Sequence, residues 1–282
     1  MPRHPDFLII GAMKAGTTSL ANALGQHPDV FITEQKEIHF FDSPGFPEGF
    51  EDYLDHFSSP KLRAGSAPQG YTKTHLPELA DVPMRIKALL PGVKLIYLVR
   101  DPIKRMESHF QEHFSQDQIG RGLHQLDPRL NSSFWNHLKG TSSYGFQLNQ
   151  FLEHFHQDNI LVLRLEDVIK QGDLEFKKLL NFLEVPNVPL QLSRDNSSEN
   201  KYFLNAPIQR AFRHHSPLFK RLRSAAFFLG KRGGLMKRIF IKPAHKPELS
   251  SELRNSLKEH FKEDALSLKN PSLQKTIGYY LD

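Results

Sequence analysis

Near its start the chain reads Phe7-Leu8-Ile9-Ile10-Gly11-Ala12-Met13-Lys14-Ala15-Gly16-Thr17-Thr18-Ser19-Leu20. The first four residues form an apolar run too short for a helix and rich in β-branched side chains, which predicts a buried parallel strand. Ser19 to Gly25 reads as a helix, so the glycines fall at a strand-to-helix turn. In an open α/β sheet ligands bind beyond the carboxyl ends of the strands, which makes this turn the expected place for chemistry. Gly11 and Gly16 let the backbone bend. The amides from Lys14 through Ala15 and Gly16 to the helix start then face an anion, and the Lys14 ammonium and the Thr17, Thr18 and Ser19 hydroxyls supply further donors. The turn reads as a phosphate cradle. It departs from the G-x-x-x-x-G-K-[ST] loop because Lys14 stands two residues before the second glycine and addresses a different part of the ligand.

Two more runs, Leu95-Ile96-Tyr97-Leu98-Val99 and Ile160-Leu161-Val162-Leu163, read as strands of the same kind. Met84 to Leu90, Tyr144 to Phe155, Asp173 to Leu183 and Ser250 to Leu268 read as helices between or after them. Strand then helix, repeated, predicts an α/β fold: a P-loop-like, doubly wound central parallel sheet flanked by helices, in a single domain over residues 1–282. The polar segment 115–140, with Gly120, Gly122 and Pro128, reads as a long loop or short irregular helices. Residues 195–247 read as an appendage, a flap over an acceptor cleft.

Composition narrows the class. With 39% hydrophobic and 24% charged residues in 282, the chain is an ordinary globular sequence, and disorder and collagen-like repeats are excluded. No apolar run reaches the roughly 18–20 residues of a membrane span, and Met1-Pro2-Arg3-His4-Pro5-Asp6 lacks a signal-like pattern, so the expectation is a soluble, unsecreted, cytoplasmic protein. The absence of cysteine excludes disulfides, thiolate metal sites and cysteine nucleophiles. The net charge of +6 is local: Lys201 to Lys246 holds twelve Lys/Arg and no Asp or Glu, so this stretch carries +12 and the remainder −6. Such a patch attracts an anion, or it is a solvated face.

The same logic at the second strand end gives Arg100-Asp101-Pro102-Ile103-Lys104-Arg105-Met106-Glu107-Ser108. Arg100 at the strand's carboxyl end and Ser108 eight residues on could converge on a second phosphate. Read alone, Arg100-Asp101-Pro102 is equally a structural ion pair at a turn.

Together the two motifs resemble the sulfotransferases that use 3′-phosphoadenosine 5′-phosphosulfate (PAPS). Phe7 to Leu24 is similar to that family's 5′-phosphosulfate loop, and Arg100 to Phe110 to its R-x-P-x-x-R-x-x-S element for the 3′-phosphate. Ser143 to Leu148, Ile160 to Asp167 and the last helix support the resemblance. Lys36-Glu37-Ile38-His39-Phe40-Phe41-Asp42 resembles the K-E-x-H-F-F segment of heparan-sulfate N- and 3-O-sulfotransferases and their bacterial relatives, whose glutamate is the catalytic base. The resemblance implies PAPS as donor, 3′-phosphoadenosine 5′-phosphate (PAP) as product and no metal. It implies Lys14 at the departing oxygen, Glu37 as base with His39 as rival base, and Lys36, His39, Phe40 and Lys73 at the acceptor. A free glutamate, with a pKa of about 4.3, is a weak base, so the role requires partial desolvation beside Phe40 and Phe41. Bacterial relatives usually carry Gly-Glu where this chain has Gly65-Ser66, and a cysteine-closed loop of the Golgi enzymes has only Lys231-Arg232-Gly233-Gly234 as a looser counterpart at the nucleotide.

The expected acceptor is an oligosaccharide or a small secondary metabolite, through a hydroxyl or an amine. Neither a nucleic-acid partner nor a particular oligomeric state is expected. Two rival readings are a P-loop-like nucleotide kinase, which would need a magnesium-binding carboxylate, and a nucleic-acid binder resting on residues 201–246, which would show steep salt dependence.

Overall fold

A computed structural model of the chain describes residues 3–117, 132–192, 202–204, 241–243 and 249–278. Its centre is a five-stranded, wholly parallel sheet in the order β2-β3-β1-β4-β5. The strands are β1 (Phe7–Gly11), β2 (Val30–Ile32), β3 (Arg63–Ser66), β4 (Lys94–Val99) and β5 (Ile160–Arg164). Phe7 to Ile10 and Leu95 to Val99 are fully buried, as central parallel strands covered on both faces must be. From β1 the chain runs outward on one side and then crosses to β4 on the other, so a switch point lies between these neighbours at their carboxyl ends.

The helices are α1 (Thr17–Gly25), α2 (Phe50–Asp55), α3 (Val82–Leu89), α4 (Pro102–Asp117), α5 (Ser132–Ser142), α6 (Tyr144–Leu152), α7 (Leu165–Lys170), α8 (Gly172–Leu183), α9 (Ser251–Leu266) and α10 (Pro271–Gly278). Pro102 opens α4, where its missing N–H costs nothing. Ser250 caps α9 by accepting from Leu253 N at 3.2 Å. Leu257, Phe261 and Ala265, spaced four apart, give α9 its buried stripe. Two of them join Ile103, Met106, Phe110, Trp135 and Leu138 in a second apolar cluster that fastens α4, α5 and α9 to one another.

The expected doubly wound α/β sheet is present, and the expected helices fall within a few residues of their positions. Two strands were not expected, because β2 has three residues and β3, Arg63-Ala64-Gly65-Ser66, has no β-branched side chain. The expectation of an irregular stretch over 115–140 is corrected at both ends. The helix α4 continues to Asp117, and α5 starts at Ser132 because Trp135 and Leu138 have an apolar cluster to bury against. Most of the basic segment, including Lys231 and Arg232, lies outside the described residues; β6 (Tyr202–Leu204) and β7 (Ile241–Pro243) pair antiparallel near its two ends. Among the described residues no helix is long and apolar enough to cross a membrane.

Candidate active site

The turn after β1 is built as an anion seat. Gly16 stands at the N-cap of α1 with φ 97°, a left-handed conformation that suits glycine, and no side chain caps the helix. The leading amides of α1 therefore keep their donors for a ligand. Lys14 also takes a positive φ, 69°, which an ordinary side chain adopts only where the surroundings enforce it. The enforcement is visible. Ala12 N donates to Leu98 O at 2.7 Å, Arg100 Nη1 donates to Lys14 O at 3.2 Å, and Arg105 Nη1 donates to Met13 O at 3.2 Å.

Arg105 is the hub behind this loop. Its side chain is fully buried, and besides Met13 O it donates to Ser142 Oγ at 2.5 Å, Leu138 O at 2.8 Å and His109 Nδ1 at 3.1 Å. These partners are three uncharged oxygens and an imidazole, so the guanidinium charge is hydrogen-bonded but not neutralised by them. Burial pushes its pKa down to about 10, which still leaves it charged at neutral pH. Its pull is available to an anion in the cradle. The helix α4 presents Arg105, Ser108, His109 and Glu112 at i, i+3, i+4 and i+7, a single stripe, and Glu112 pairs with the Lys14 ammonium.

The segment from Arg100 to Ser108, expected at a second phosphate, is thereby joined to the turn after β1. Arg100 touches the cradle through Lys14 O, its Nε is buried without a hydrogen-bond partner, and Ser108 is nearly buried on the stripe facing the loop. An orphaned buried donor, an uncapped helix start and a lysine beside them fit a nucleotide with two phosphate groups. Thr17 is buried, while Thr18 and Ser19 are half-buried on the first turn of α1.

Glu37 lies in the loop between β2 and α2. Both its donors fall on Oε1, Lys36 Nζ at 2.9 Å and Gln69 Nε2 at 2.8 Å, which leaves Oε2 for a ligand. His39 is exposed and its Nδ1 sits 2.8 Å from Asp42 Oδ2, so it is not a core histidine. Lys73 is half-buried, and desolvation lowers its pKa against the opposing influence of Asp42 and Glu37. Phe40 is placed differently from expectation. It is 7% exposed and stacks on Tyr53 at 4.7 Å within a cluster holding Phe41, Phe46 and Phe50, so its ring serves the core rather than an acceptor. Ser66, where bacterial relatives usually carry an acid, is fully buried in β3.

Sequence reading passed over His75, His109, His137 and Gln147. A cavity of about 1950 Å³ opens between α5, α6, α9 and α10, lined by His75, His113, Phe134, His137, Phe146 and His260 among others. Lys14 and Glu37 are not among its lining residues, but His75 links it to the site, being two residues after Lys73 and under the field of both Lys73 and Arg105. Burial, reinforced by those cations, pushes His75 down to about 4; burial and the His75 ring hold His137 at about 4, and His109 is lowered further. The three rings are neutral at physiological pH. Among the described residues no group of three or more His, Asp or Glu side chains could hold a metal ion.

The turn after β1 thus lies at the switch point of a parallel sheet and is tied to an arginine at the end of the neighbouring strand, an arrangement suited to an anionic ligand. The chain belongs to the sulfotransferase domain family, whose model matches residues 4–265. It is 28% identical over 205 residues to a bifunctional heparan sulfate N-deacetylase/N-sulfotransferase 1 of Caenorhabditis briggsae, a match covering 66% of this chain and 23% of that protein. A membrane-associated sulfotransferase of Dictyostelium discoideum is 33% identical over 130 residues, covering 46% of this chain and 26% of the relative. The matched region thus spans about a quarter of either relative's length. In fold the chain is similar to a sulfotransferase from Alicyclobacillus acidocaldarius, with TM-score 0.61 and 19% identity over 97% of this chain and 99% of that one.

Proposed function

We propose that this protein transfers a sulfuryl group from PAPS to a hydroxyl or amine of a carbohydrate or small secondary metabolite and releases PAP. The observation that carries the reading is the contact between the two candidate anion elements: Arg100 after β4 donates to the backbone of Lys14 in the cradle, so one nucleotide with two anionic groups could span both. The donor, when bound, supplies an activated sulfuryl group. Such transfer needs in-line positioning and relief of charge at the departing oxygen more than covalent help. In this reading Lys14 supplies that relief and the α1 amides with Thr17, Thr18 and Ser19 hold the 5′ side. Arg100 and Ser108 hold the 3′ side. Glu37 Oε2 takes the acceptor's proton, while Lys36 and Gln69 fix the carboxylate through Oε1. His39, oriented by Asp42, and Lys73 face the acceptor.

The similarity to a bifunctional heparan sulfate N-deacetylase/N-sulfotransferase favours sugars with hydroxyl or amine acceptors. Thermal stabilisation by PAP against ATP with magnesium tests the donor. A ligand at 100 times its Kd adds about 2.7 kcal/mol, and PAP should give that shift while ATP with magnesium gives less. Preference for ATP would overturn the sulfotransferase reading.

A further inference from the structure

We propose that Gln147 locks His75 in its Nε2–H tautomer, so that the His75 and His137 pair offers the cavity a hydrogen-bond donor, His137 Nε2–H, and does not remove a proton. The acceptor's place in that cavity rests on the sulfotransferase reading; the tautomer itself does not.

Gln147 on α6 is fully buried. Its Oε1 accepts from Thr74 N at 3.0 Å and from Thr74 Oγ1 at 2.7 Å. A backbone N–H can only donate, so the amide cannot be turned round. Its Nε2 therefore faces Gly140 O at 3.0 Å and His75 Nδ1 at 3.0 Å, with one proton for each. His75 Nδ1 must then present a lone pair, and the neutral ring carries its proton on Nε2. That proton points at His137 Nδ1, 3.1 Å away, which must present a lone pair in turn. His137 is left with its own proton on Nε2, and no described residue accepts it.

Both rings line the cavity. Reversing the chain would place a proton on His75 Nδ1, against the N–H of Gln147. The constraint also explains Gly140, because a Cβ there would stand 2.5 Å from the His75 ring. The ligand chemistry that suits the site is an oxygen lone pair on the acceptor: a hydroxyl, ring, carboxylate or sulfate oxygen.

Nitrogen-15 labelling of histidine in the full chain and long-range proton–nitrogen correlation at neutral pH test the lock, with His75→Asn and His137→Asn for assignment. Both wild-type rings should show protonated Nε2 and bare Nδ1; a proton on either Nδ1 overturns the proposal. Gln147→Glu keeps the shape and removes the amide protons, and should move the His75 proton to Nδ1 or add a second one. An unchanged tautomer in a folded Gln147→Glu protein would show that Gln147 is not the lock, and if that variant does not fold, the wild-type spectrum decides. In turnover, His137→Ala should raise acceptor KM by about tenfold, the order expected for one lost hydrogen bond, with donor KM unchanged. Lower kcat with unaltered acceptor KM overturns the donor role. If no acceptor is sulfated at all, the functional reading fails while the spectra still decide the tautomer.

Discussion

The Lys14 ammonium is paired with the carboxylate of Glu112, one turn beyond Ser108 on α4. The cation proposed for the departing oxygen thus has a carboxylate counter-ion of its own. Both side chains are partly exposed, so the pair itself contributes little stability. Its importance is competitive, since an incoming phosphate must share the lysine with a like-charged carboxylate. Glu112→Gln should lower the Kd for PAP by about 3- to 10-fold, the effect of removing one nearby repulsive charge in a partly screened site. Calorimetric titration showing equal or weaker binding would refute this account of the pair.

Glu37→Gln should reduce kcat by about 10²- to 10⁴-fold, the usual worth of a positioned general base, and leave PAP affinity nearly unchanged. The amide keeps an oxygen for Lys36 and Gln69, so the loop should retain its shape. If Glu37→Gln retains most of its rate and His39→Ala is inactive, His39 is the base.

Arg105→Lys removes a planar fork that serves four partners in different directions. A lysine can reach some of them and leaves others buried and unpaired. The expected loss in urea unfolding is about 3 kcal/mol, in the range for disrupting a buried charged network. Nucleotide affinity should fall as well, because the Met13 carbonyl loses its tie. A loss within about 0.5 kcal/mol, typical of surface changes, would mean that the hub is dispensable.

Stability should rise with pH between about 4 and 6.5. His75 and His137 are pushed down to about 4 in the fold, so across that window the unfolded chain binds more protons and higher pH favours the native state. Asp264 acts oppositely. Burial pushes its carboxyl up to about 6 despite hydrogen bonds from Gly145 N and Phe146 N, so its contribution declines as pH rises toward that value. Two histidines, reinforced by His109, outweigh one carboxylate. Asp264→Asn should make the rise steeper and His75→Asn with His137→Asn should flatten it, as read from urea midpoints across the window. A wild-type profile that falls with pH would contradict the neutral state of these rings.

The strand, turn and helix start around Lys14 were legible because their signals are local: apolar run, glycines, lysine and hydroxyls follow one another closely in the chain. The places of Arg100 at a strand end and Ser108 on the following helix were legible for the same reason. His75 was not, because what makes it distinctive arrives from Gln147 and His137, which neighbour it only after α5 and α6 have packed. Arg105 stood in plain view inside a motif, yet its burial depends on Leu138 and Ser142 from a stretch that read as irregular. Phe40 misled through its position in a catalytic-looking segment, whereas its spacing from Tyr53 and Phe50 is settled only in three dimensions.

Gly145 comes so close to α9 that a Cβ would sit 2.0 Å from Asp264 O, and the Asp264 carboxylate receives the first amides of α6. Gln147 follows within the same turn. A fragment ending after α8 would therefore keep every strand of the sheet and the whole cradle, but it would lose the clasp that seats α6. Such a truncate should still grip nucleotide while its imidazoles fall out of register, which would separate donor recognition from acceptor handling along the length of the chain.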